Sequence, residues 1–221
     1  MKLKTIVITG ASDGIGKAAA KILKEKGHNV VIVGRSKLKT KQVAQELGVK
    51  YYTADFSVLS DVRKLASDLN NDLKKIDVLV NNAGAVMSNR ELTVDGNEKT
   101  LQVNHLSAFL LTNLLINKLV SCKATVINTS SVANRLLSNF DIEDLNLNEG
   151  YSPTRAYGNA KLANILFTKE LNKRYGNNGI RTAAFHPGNV ASNFSTDSSS
   201  LFMKIVYKSP LKRFLISPIR G

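Results

Sequence analysis

Short apolar runs alternate along this chain with longer stretches in which apolar positions recur every three or four residues. The first pattern predicts strands over 4–9, 29–33, 50–53, 77–80, 124–128 and 181–185, and the second predicts helices over 15–26, 37–47, 58–73, 98–120 and 155–175. Gly27 and Gly48 stand where two of the helices should stop in a left-handed turn. The strands IVI and VVIV are apolar without alternation, which predicts a sheet covered on both faces. Strand–helix alternation of this kind predicts a doubly wound parallel α/β sheet with right-handed crossovers. No linker or internal repeat interrupts it, so residues 1–221 read as a single domain.

In open α/β sheets, ligands bind beyond the C-terminal ends of the strands. The polar and glycine-rich segments fall there. Strand one runs into TGASDGIG, residues 9–16, and straight on into a helix. Gly10 allows the tight turn, Gly14 lets a pyrophosphate approach the backbone, and Gly16 lets the helix pack close to the strand. The helix N-terminus then offers N–H donors and partial positive charge to phosphates. Farther on, AYGNAK places Tyr157 and Lys161 one helical turn apart on a common face. Taken alone, the pair reads first as an ordinary surface pair.

These motifs together carry a resemblance. TGxxxGIG, then Asn81-Asn82-Ala83-Gly84 after strand four, then YxxxK resemble, in this order, the short-chain dehydrogenase/reductase family over about residues 3–196. KLANILFTKEL and HPGNVASNF look most like its retinol dehydrogenase and WW-domain oxidoreductase branch. The resemblance implies a Rossmann fold with strand order 3-2-1-4-5-6 and a nicotinamide dinucleotide cofactor. It also implies a catalytic tetrad of Asn104, Ser131, Tyr157 and Lys161.

Tyr157 is then the acid/base. A phenol with an ordinary pKa of about 10 is a poor base at neutral pH, and a cation beside it favours the phenolate. Lys161 supplies that cation and contacts the nicotinamide ribose. The small Gly158 and Ala160 between them are expected to leave room for cofactor and substrate. Ser131 would bond the substrate oxygen, with Ser130 as the alternative. Asn104 would bend its helix and hold a water that relays protons from Lys161, the alternative being a buried structural amide.

The same resemblance gives the cofactor its partners: Gly10, Ser12, Asp13, Gly14, Ile15 and Gly16 in the first turn, and Asp55 and Phe56 after strand three. Asn81 and Ala83 would line the adenosine-ribose side, with Gly84 permitting close approach; Val190 and Ser192 would meet the nicotinamide carboxamide, and Asn82, Pro187 and Gly188 would also contact the cofactor. No carboxylate follows strand two; Arg35 and Ser36 stand there instead. An arginine can grip a 2′-phosphate bidentately, which favours NADP(H) over NAD(H).

Composition narrows the rest. A net charge of +14 admits nucleic acid or anionic lipid as partners, but the lysines are spread over the helices and no nucleic-acid motif is present. The tail LFMKIVYKSPLKRFLISPIRG combines basic and apolar residues. It reads first as an incomplete substrate lid over 196–221 and second as a peripheral membrane contact. Phe194, Leu201, Phe202 and Val206 hint at an apolar alcohol or carbonyl substrate. A lone cysteine, Cys122, with no signal core and no membrane-length run reads as cytoplasmic. His105 and His186 read as packing or turn residues, and no metal-ligand spacing occurs. The family ordinarily continues into a seventh strand, whose absence here would leave strand six open. Homo-oligomers through the tyrosine and asparagine helices are common among relatives. The expected activity is oxidoreduction of an alcohol and its carbonyl compound, and the rival is a dinucleotide sensor without turnover.

Overall fold

The computed structural model describes residues 2–188. Six parallel strands stand in the order β3-β2-β1-β4-β5-β6: β1 Thr5–Thr9, β2 Asn29–Gly34, β3 Lys50–Thr53, β4 Val78–Asn81, β5 Thr125–Thr129 and β6 Arg181–Phe185. The order reverses between β1 and β4, which opens a crevice at their C-terminal ends.

Side chains alternate across a strand, so each strand feeds two cores. Ile6, Ile8, Val30, Ile32 and Val78 face one side, under α1 (Gly14–Glu25) and α2 (Lys37–Leu47). Val7, Val31, Val33, Leu79 and Val126 face the other. That side is covered by α3 (Leu59–Asp72), a segmented helical run and the long helix that carries Tyr157. Continuous apolar strands are what a sheet buried on both faces requires. Among the described residues β6 is an edge, with Ala183 and Ala184 exposed.

The helix starts have local causes. Asp13 caps α1 through a 2.7 Å bond from the Gly14 N–H, and Ser36 caps α2 by accepting from the Lys39 N–H. Gly48 closes α2 at φ 61°, as expected, and Gly27 follows α1 at φ 83°.

The single helix expected over 98–120 is broken. The run consists of α4 (Lys99–Leu101), a π-turn over Gln102–Leu106, α5 (Ser107–Leu114) and α6 (Ile116–Ser121). Asn104 lies in the π-turn, and its amide donates to the Thr100 carbonyl at 2.9 Å and to the Ala85 carbonyl at 2.7 Å. A side chain drawn into the backbone ladder widens it, and such bulges gather at functional sites. After β5 come α7 (Ala133–Leu136) and then α8 (Pro153–Tyr175). Helix α8 begins two residues before the expected start because Ser152 caps it and Pro153 takes the first turn.

Candidate active site

The glycine turn after β1 and the NNAG turn after β4 are built against each other. The Thr9 hydroxyl donates to the Val80 carbonyl at 3.3 Å and accepts from the Asn82 and Ala83 N–H groups, both at 3.0 Å. Asn82 returns its side-chain amide to the Thr9 and Gly10 carbonyls. Gly10 has φ 65°, and a Cβ there would lie 2.7 Å from Ala83 Cα. A Cβ on Gly16 would lie 2.4 Å from the Gly10 carbonyl oxygen, so glycine is required for helix–turn contact, as expected. Gly14 turns at φ 55°, presenting bare backbone at the start of α1. Ser12 and Ile15 are half-exposed beside it.

Four expected contacts are qualified by the structure. Asn81 does not line the crevice: it is buried, and its amide donates to Thr112 Oγ1 and Asn128 Oδ1 beneath α5. It is the last residue of β4, and its alternation points it into the core. Phe56 is also a core side chain, and its carbonyl accepts from the Ser107 hydroxyl at 2.6 Å. Asp55 uses one carboxylate oxygen on the Ser57 N–H and hydroxyl. Gly84 makes room, but for protein: a Cβ there would sit 2.5 Å from Asn104 Oδ1 and 3.3 Å from Lys161 Nζ.

Lys161 is 2% exposed. Its ammonium lies 5.3 Å from the centre of the Tyr157 ring and donates to the Thr129 carbonyl at 3.2 Å. No carboxylate compensates it within the ion pairs of the described residues, and burial pushes its pKa down to about 8. Tyr157 is half-buried beside it. Of the two serines after β5, Ser130 is buried and donates to the Lys161 carbonyl at 2.9 Å, whereas Ser131 is half-exposed and its hydroxyl accepts from the Ala133 N–H. Ser130 is thus committed to the helix.

Gly158 and Ala160 do not open the cleft. Ala160 is fully buried, and a Cβ on Gly158 would meet the Leu137 carbonyl carbon and the Ser138 nitrogen, both at 2.7 Å. Glycine here lets the segment after α7 lie directly on α8. Asn159 fastens the same segment, accepting from the Asn139 N–H at 2.9 Å and donating to the Asn139 carbonyl at 3.1 Å.

The side chain of Asn104 is fully engaged: besides its two donations, Oδ1 accepts from the Ala85 N–H at 3.2 Å. Its main-chain carbonyl accepts from Asn164 at 3.1 Å. His105 packs edge-on against Phe167, bonds Asn164, and is held below the usual histidine pKa by burial, in keeping with a packing role. Arg35 is exposed at the end of β2, followed by the cap Ser36. Pro187 and Gly188 follow β6, with Gly188 at φ 84°. Val190, Ser192 and the tail with Phe194, Leu201, Phe202 and Val206 lie outside the described residues. Thr9, Asn128, Asn159 and Asn164 carry contacts that the motifs alone did not assign.

The sequence of residues 4–200 matches the short chain dehydrogenase family. The chain belongs to that family. It is 41% identical to human retinol dehydrogenase 12 over 206 residues, which cover 90% of this chain and 65% of that protein. A crystal structure of an uncharacterized protein from Mycobacterium paratuberculosis superposes with a TM-score of 0.76 at 37% identity, covering 88% of this chain and 71% of that one. The Pseudomonas aeruginosa RhlG/NADP active-site complex gives 0.73 at 27% identity, covering 94% and 78%. The resemblance to the retinol dehydrogenase branch therefore holds, and the chain spans 58–65% of the length of the retinol dehydrogenases it matches. No described helix is long and apolar enough to cross a membrane, and no group of metal-ligating side chains occurs among the described residues.

Proposed function

We propose that this chain is an NADP(H)-dependent oxidoreductase that interconverts an alcohol and its aldehyde or ketone. The buried Lys161 ammonium, 5.3 Å from the centre of the Tyr157 ring, carries this reading. A cation held out of water without a carboxylate is expensive for a fold to keep. It is accounted for when an adjacent phenol must lose and regain a proton.

The residues present fit a nicotinamide dinucleotide. Gly10 and Gly16 let the first turn lie tightly against the NNAG turn and α1, and Gly14, at φ 55°, leaves bare backbone beside the N–H groups that open α1. Ser12, Asp13 and Ile15 belong to the same turn. Asn82, Ala83 and Gly84 form the far wall, and Lys161 reaches the ribose side. Bound there, the nicotinamide supplies or accepts the hydride at the substrate carbon. Tyr157 gives its proton to the substrate oxygen during reduction and takes it back during oxidation. Ser131 donates to that oxygen as charge develops on it. Lys161 holds the phenolate, and Asn104, through its hold on Ala85 and Thr100, keeps the NNAG turn against Lys161. Arg35 and the α2 cap Ser36, with no acid at the end of β2, suit a 2′-phosphate; RhlG is described with NADP, in line with this.

Exposed Val132, Leu136 and Leu137 directly after Ser131 favour an apolar substrate. The alternative reading is a dinucleotide-binding protein without turnover. Monitoring NADPH absorbance across a panel of apolar aldehydes and ketones separates the two. Carbonyl-dependent oxidation supports the enzyme, and tight NADPH binding with no oxidation by any compound supports the sensor.

A further inference from the structure

We infer that Asn164 is a positioning residue for Lys161, clamping the carbonyl at which the ammonium is aimed. The inference rests on the reading of Lys161 given above. Asn164 is 3% exposed and follows Lys161 by three residues on α8, so both side chains point the same way. Its amide nitrogen donates to two main-chain oxygens, Thr129 at 3.2 Å and Asn104 at 3.1 Å. The Thr129 oxygen is also the acceptor for Lys161 Nζ at 3.2 Å. One side chain thus joins the end of β5, the π-turn and the helix of the tyrosine at the point where the lysine is held.

The third contact fixes the amide's orientation. With the nitrogen committed to two carbonyls, Asn164 Oδ1 must accept, so the 2.9 Å contact to His105 Nδ1 requires the imidazole proton on Nδ1. His105 is kept neutral by burial and wedged against Phe109 and Phe167. A carbonyl held by two donors from one helix is a stiffer anchor than one held by the mobile ammonium alone. Released from it, the long lysine side chain would sample rotamers that leave the phenol.

Three measurements on the full chain test this. Imidazole ¹⁵N shifts of the cofactor-free protein are expected to show His105 protonated at Nδ1; a ring protonated at Nε2 overturns the clamp. With NADPH and decanal, Asn164→Ala and Asn164→Asp are expected to lower kcat at least about ten-fold while KM stays within about three-fold. Folded variants with wild-type kcat overturn the inference. Should both variants fail to fold, His105 decides: His105→Leu should lower kcat several-fold, and His105→Asn, which returns an N–H to the Nδ1 position, should restore it. Equal kcat in that pair also overturns it. Lys161→Met serves as the reference: turnover surviving that change defeats the reading of the active site, whereas its loss beside unaffected Asn164 variants defeats only the clamp.

Discussion

A methyl group on Gly158 would fall 2.7 Å from the carbonyl carbon of Leu137. Gly158 is the residue that allows the chain following Ser131 to rest on the helix of Tyr157. In a helix interior alanine gains about 1 kcal/mol over glycine by propensity. Contact with backbone, which cannot swing aside, costs about 1–3 kcal/mol. The contact should win, so Gly158→Ala is expected to lower the melting temperature by several degrees and to raise KM for the carbonyl compound. An increase in melting temperature would show that the Leu137–Ser138 segment yields freely.

Tyr157→Phe removes one oxygen and little volume. Turnover should fall by about 10²–10⁴-fold, the usual contribution of a positioned acid/base, while NADPH affinity changes only a few-fold. Stopped-flow absorbance and fluorescence titration measure the two quantities separately. Retained turnover would reassign the proton to another group.

Arg35→Ala should weaken NADPH about 10–100-fold and leave NADH nearly unchanged, since a charge-assisted bond to a phosphate contributes about 1.5–3 kcal/mol. Equal weakening of both cofactors in titrations would remove the 2′-phosphate argument.

Lys161 also sets a pH dependence of stability. Its folded pKa of about 8 lies below the ordinary 10.5, so between these values the unfolded chain binds a proton that the folded chain does not. Stability linked to this group therefore rises with pH from about 8 to about 10.5, and the cost of burying the cation is complete below pH 8. Cofactor-free Lys161→Met should melt at least as high as the wild type at pH 7, with the gap closing towards pH 10. A variant several degrees less stable at pH 7 would mean that the ammonium is a net stabilising group.

Most of the fold was legible because apolar strands and capped helices are local properties. The order of residues 5–81 follows from the runs TIVIT and NVVIV and from Gly48, each of which acts within its own element. The first turn was legible in part for the same reason: Gly16 meets the Gly10 carbonyl and Ala11 within the strand–turn–helix itself, whereas Gly10 meets Ala83 of the distant turn after β4. What escaped depends on partners far along the chain. Nothing near residue 158 announces that Leu137 lies against it. Asn81 and Asn82 are identical in type, and only the pleat of β4 sends the first into the core and the second to the Gly10 turn. A bend at Asn104 was expected from the resemblance alone; the periodicity did not show the π-turn, where the Asn104 amide bonds both the Thr100 carbonyl of its own run and the Ala85 carbonyl nineteen residues away. Asn164 looked like one more polar residue on a long helix until β5 and the π-turn closed around it.

The hydroxyl of Thr9 serves three backbone partners at once, two of them in the turn after β4. The two walls of the proposed cofactor site are consequently one mechanical piece, riveted before any guest arrives. Affinity at such a berth need not be spent on drawing its sides together. A lesion on either wall should be felt on the other, seventy residues distant in sequence yet separated in space by a single oxygen atom.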